Sequence, residues 1–103
     1  MKIQVLHRKW KIVVRSDKVH ESKFPQTHAV AILEDRKIHV RKSSVTSETI
    51  IHELIHAYQY ELSYTELQLD DDQTEEWFAE LFCKYGKHII QTAESVVKTY
   101  NKK

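Results

Sequence analysis

At 103 residues the chain has the length for one modest hydrophobic core, and a single domain over residues 1–103 is expected. Apolar residues at 41% and charged residues at 30% exclude a disordered chain. No apolar run approaches the roughly 18 residues of a membrane span, which excludes a spanning helix. The net charge of +1 conceals a segregation: residues 1–42 carry +7, residues 43–83 carry −10 with no Lys or Arg, and residues 84–103 carry +4.

In chain order, Met1–Val5 reads as the start of a strand and lacks the apolar core of a secretion signal. Trp10–Val14 is β-branched and aromatic, with Trp10, Ile12 and Val14 on one face. Ile3 and Val5 alternate in the opposite parity, which places a turn near Arg8–Lys9. Residues 16–28, with Pro25, read as a loop. Ala29–Leu33 and Ile38–Val40, separated by the polar Glu34–Lys37, predict a hairpin. From Ser43 the period changes to three and four. Ile51, Leu54, Ile55, Tyr58 and Leu62 predict a helix from about residue 46 to 62, with Ser43, Ser44, Thr46 and Ser47 as candidate caps. Asp70–Asp72 marks a second helix start, and Phe78, Leu81, Phe82, Tyr85, Ile89, Ala93, Val96 and Tyr100 form its predicted buried stripe. That stripe runs in phase through Gly86, so the glycine is expected inside the helix. The fold class is therefore α+β: a small twisted N-terminal sheet packed on one helix, with a long C-terminal helix.

The first helix carries His52-Glu53-Leu54-Ile55-His56. Histidines at i and i+4 lie about 40° apart around a helix, so both imidazoles reach toward one point. That arrangement provides two of the three protein ligands of a catalytic Zn2+, with one position left for water. Glu53 is rotated about 100° from His52 and can approach that water as a general base without ligating. A third ligand is needed, and Glu75, Glu76 and Glu80 on the second helix are the candidates. On a helical wheel Glu76 and Glu80 share a face opposite the Phe78/Phe82/Tyr85 stripe, while Glu75 lies nearer its edge. The acidic middle of the chain suits a divalent cation.

This pattern, H-E-x-x-H followed about twenty residues later by an E-x-x-x-E, resembles the gluzincins, the thermolysin-like zinc peptidases. The resemblance implies Glu76 as the third zinc ligand and Glu80 as the acid that orients a ligand histidine from behind. Glu75 stands where the group usually has Asn, and Glu80 where it usually has Asp. The chain is also similar to very small phage and prophage proteins related to the ImmA/IrrE peptidase group, over residues 29–90. That likeness implies a minimal zincin-like fold and zinc-dependent hydrolysis of peptide bonds in a peptide or protein substrate, with an extended substrate on a free strand edge.

Gluzincins steady the oxyanion with a Tyr or His, and Tyr60, Tyr64, Tyr85 and His88 are candidates here. His88 is also a rival third ligand in a three-histidine site. His7, His20, His28 and His39 show no ligand spacing and read as surface or strand residues. Trp77 reads as core. Cys83, the only cysteine, cannot form an intrachain disulfide or a cysteine-type zinc site and is expected to be buried and inert. A reducing, cytoplasmic setting follows. The alternative function is a zinc-stabilised interaction module without hydrolytic activity, taking nucleic acid through the basic N-terminal portion or a protein partner.

Overall fold

The computed structural model describes residues 1–62 and 71–101. The element order is β1 (Lys2–Val5), β2 (Arg8–Arg15), α1 (Asp17–Lys23), β3 (Ala29–Ile32), β4 (Lys37–Arg41), α2 (Ser47–Glu61) and α3 (Asp71–Tyr100). A 3-10 turn at Lys42–Ser44 joins β4 to α2. The architecture is α+β: a mixed four-stranded sheet in the order β1-β2-β4-β3, with three helices.

Alternation along each strand decides which side is buried. Ile3 and Val5 of β1, Trp10 and Ile12 of β2, and Ile38 and Val40 of β4 all point to one face. Against them pack Ile50, Leu54, Ala57 and Tyr58 of α2 and Trp77, Leu81, Ile89, Ala93 and Val96 of α3. The β3–β4 hairpin is present as expected, pairing Val30 with His39 and Ala31 with Ile38. β2 and β4 run parallel, with Ile12 beside Ile38.

The β1–β2 turn lies at Leu6–His7, not at Arg8–Lys9, since Val5 already pairs with Arg8. Leu6 takes φ 57°, the left-handed conformation that a two-residue hairpin asks of its first central residue. Parity therefore reverses two residues earlier than expected. Residues 16–28 are not all loop: α1 forms, with the Ser16 hydroxyl accepting from Val19 N–H and Asp17 in the first turn. Its one buried residue is His20, so no apolar stripe announced it.

α2 matches its expected span, and Thr46 is the cap, accepting from Thr49 N–H at 3.3 Å. α3 is continuous through Gly86, as expected. Of its predicted buried stripe, Leu81, Ile89, Ala93 and Val96 are buried and Tyr85 and Tyr100 half-buried, but Phe78 and Phe82 are 39% and 43% exposed. Trp77, one position before Phe78 and about 100° from it around the helix, is buried in its place. Cys83, expected to be buried, is exposed. Among the described residues no helix is long and apolar enough to cross a membrane.

Candidate metal and catalytic site

α2 is held by its buried residues Ile50, Leu54, Ala57 and Tyr58, and this fixes where the others point. His52 and His56 fall on the exposed side. Their Nε2 atoms approach to 3.2 Å, with ring centroids 4.9 Å apart. For zinc–nitrogen bonds of about 2.0–2.1 Å, that separation subtends an angle of roughly 100° at the metal, close to tetrahedral. The same approach allows one ring N–H to donate to the other, a bond that a cation would replace. The spacing of the two nitrogens thus suits two of a zinc ion's ligand positions.

Glu53 sits on the flank of α2 between the core and the histidines and is only 7% exposed. Loss of hydration raises its pKa above the usual carboxylate range, opposed by the positive character of His56 and His52. A carboxylate so placed is a stronger base than one in water, which is what proton abstraction near neutral pH requires.

Opposite this flank runs β3. The two walls enclose a cleft of about 450 Å³, lined by Thr27, His28 and Ala29 on one side and Glu48, Thr49, His52 and Glu53 on the other. β3 is an edge strand. Arg41 N–H donates to His28 C=O at 2.9 Å, so positions 28, 30 and 32 are the hydrogen-bonded partners of β4. By that alternation the N–H and C=O groups of Ala29 and Ala31 face the open edge.

His28 is the cleft residue that spacing did not reveal. Its Nδ1 lies 2.9 Å from the hydroxyl of buried Ser44, which fixes the ring and leaves Nε2 free. It is 24 residues from His52 in sequence, and only the pairing of β3 with β4 brings it to the site.

The other sequence candidates lie elsewhere. Among the described residues no three His, Cys, Asp or Glu side chains form a metal-holding group, so Glu75, Glu76 and Glu80 do not join the histidine pair in one. Glu75 and Glu76 are exposed on α3, and Glu80 lines a small pocket with Leu62, Trp77, Leu81, Lys84 and Tyr85. Tyr85 stacks at a tilt on Tyr58 at 5.4 Å. Tyr60 packs edge-on against Trp10 beneath the Arg36 guanidinium. His88 Nε2 lies 3.3 Å from Gln4 C=O on β1, at the far edge of the sheet from β3. None of Tyr60, Tyr85 and His88 lines the cleft. Tyr64 falls outside the described residues.

Two further histidines are buried: His20, expected at the surface or in a strand but found in α1, and His39, in a strand as expected. His20 is 0% exposed, with Nε2 2.9 Å from the Thr27 hydroxyl and Nδ1 without a partner. His39, on β4, accepts from the Arg15 guanidinium at 2.6 Å and stacks on Phe24. Burial lowers the pKa of both, and nearby arginines add to the effect. Glu61 was also not foreseen as structural: it accepts from Trp10 Nε1 at 2.9 Å and from Arg36 at 2.6 Å, tying the end of α2 to the sheet.

Comparison of the chain with protein-family profiles, curated proteins and solved structures gives no match.

Proposed function

We propose that the chain is a zinc-dependent peptidase of minimal zincin-like build, acting on extended peptide or protein segments. The observation that carries this reading is the cleft itself. His52, whose ring meets that of His56, and the buried carboxylate of Glu53 face the free edge of a β-strand across 450 Å³.

His52 and His56 would hold the metal; the likeness to gluzincins assigns Glu76 as the third donor, with Glu75 as its alternative and Glu80 behind it. That third donor would have to close on the histidine pair as the metal binds, since it does not lie with them among the described residues. A bound zinc ion supplies Lewis acidity, lowering the pKa of water and polarising a carbonyl. The remaining chemistry belongs to the protein. An extended substrate pairs with Ala29 and Ala31 by strand addition, which sets its scissile carbonyl beside α2. Glu53 takes a proton from the attacking water as the new C–O bond forms. It then passes that proton to the amine nitrogen as the C–N bond breaks, leaving a carboxylate and an amine. His28, steadied by Ser44, donates from Nε2 to the carbonyl oxygen as charge builds there. It takes the place that Tyr60, Tyr64, Tyr85 and His88 were weighed for.

The test is zinc content and peptide cleavage measured together, using casein and a fluorogenic peptide library. Wild type is expected to hold about one zinc per chain. His52→Ala and Glu76→Gln should lose or weaken it, and Glu53→Gln should keep it while losing cleavage. Loss of metal in Glu75→Gln instead would move the third ligand by one residue. A wild type that takes up no zinc at micromolar supply would overturn the proposal. A zinc-stabilised interaction module predicts metal uptake with no cleavage that depends on Glu53.

A further inference from the structure

Away from α2 and α3, the outer face of the sheet carries lysines in register. Lys2 of β1 pairs with Lys11 of β2, and Lys11 lies beside Lys37 of β4. Lys9, two residues from Lys11 on the same face of β2, is opposite Gln4. All four lysines are exposed. Neighbouring strands are about 4.8 Å apart, so the row of three spans about 10 Å, with Lys9 some 7 Å along the strand.

This arrangement opposes folding, because like charges directly across a sheet destabilise it. No salt bridge offsets it: among the described residues the salt bridges are Arg36–Glu61 and Arg41–Glu21, and neither involves these lysines. The acids closest in sequence, Glu34 and Asp35, lie in the β3–β4 turn and pair with none of the four. The opposite end of the face is occupied. There α1 packs Phe24 on His39, Arg15 is engaged by His39, and Arg41 by Glu21. The sheet thus divides its outer face into an end covered by α1, where both arginines are engaged, and a cationic end of lysines without a salt bridge.

We propose that the Lys2/Lys9/Lys11/Lys37 end binds the phosphate backbone of duplex DNA without regard to sequence. The duplex carries about one charge per 1.7 Å of its axis counted over both strands, so four lysines presented on one face can each meet about one phosphate. The two aromatic side chains of the neighbouring strands and helix, Trp10 and Tyr60, pack against each other, with Trp10 on the inner, buried face. The patch therefore offers no platform for stacking unpaired bases, which favours the duplex over a single strand. Its lysines sit on the sheet's face while the histidine cleft opens at its β3 edge, so both can be occupied at once. The inference is independent of the peptidase reading.

The test is fluorescence anisotropy of the full chain with two unrelated labelled duplexes of about 20 base pairs, at about 50 to 200 mM salt. Expected are equal affinities for the two sequences and a log–log salt slope near −3 to −4, one phosphate contact per lysine. Replacing Lys2, Lys11 and Lys37 together by Gln should remove about 2.7 from that slope and weaken binding a few hundredfold at about 0.1 M salt. Replacement of the three by Arg should preserve both. Circular dichroism establishes that each variant is folded. Binding unchanged in the folded Gln variant overturns the proposal, as does a strong preference for one sequence. Binding to phosphatidylserine vesicles with none to either duplex also overturns it.

Discussion

The two free edges of the sheet are treated in different ways. At β1 one outward group, the C=O of Gln4, lies 3.3 Å from His88 Nε2 of α3, and a groove of about 270 Å³ separates the strand from Gln91, Thr92 and Ser95. Met1 N donates to Ile12 C=O and to the Tyr100 hydroxyl, closing that corner. At β3 the outward groups of Ala29 and Ala31 meet a cleft. An uncovered edge invites unwanted pairing, and small proteins normally cover or charge it. Both edges border a groove, but a helix side chain bonds the β1 edge, whereas the β3 groove is walled by Glu53 and His52.

The strongest way to break that contrast is at the open edge. Glu53→Gln should cut cleavage by about 10²–10⁴-fold, the usual worth of a general base, with zinc content unchanged. His28→Ala should lower turnover by about 10²-fold, as loss of one oxyanion donor does, again without loss of metal. Undiminished turnover would remove His28 from the mechanism.

Two proline variants sharpen the geometry. Val30→Pro deletes a ladder hydrogen bond to β4 and should cost about 3 kcal/mol in denaturant unfolding. Ala31→Pro removes only the outward N–H and should cost less stability but depress peptide cleavage about tenfold or more. Equal destabilisation by the two would mean that the register of the free edge is wrong. At the β1 edge, His88→Ala removes one hydrogen bond and should cost about 1 kcal/mol with cleavage unaltered.

The smallest effect concerns pH. His20 is buried neutral, with a folded-state pKa below its ordinary 6.5. As pH falls the unfolded chain takes up this proton first. The stability associated with His20 is therefore complete above about pH 6.5 and is lost as pH falls from there through the lowered folded value. His39 adds in the same direction. Thermal unfolding from pH 7.5 to 5 should show the decline, and His20→Gln should flatten it.

What could be read without coordinates was local. The spacing of His52, Glu53 and His56 on one helix implies converging imidazoles because the helical repeat is rigid, and their Nε2 atoms do meet at 3.2 Å. The β3–β4 hairpin and the two long helices were legible from period alone, as was the passage of α3 through Gly86. The hidden part had specific causes. α1 is seven residues long and buries only His20, so its stability comes from packing on β4 and not from a periodic stripe. At the start of α3 Trp77 and Phe78, about 100° apart around the helix, compete for the buried face, and only tertiary packing chooses Trp77.

The sequence by itself determined the candidates: two histidines spaced to converge and a glutamate between them, all three on one helix. Tertiary structure alone decided the setting. Parity along a strand states which residues share a face, but not which strand lies beside which, because pairing partners are set by long-range packing. The insertion of β4 between β2 and β3 therefore decided that β3 is the open edge. It also brought His28 to the cleft and aligned Lys2, Lys11 and Lys37 in one row.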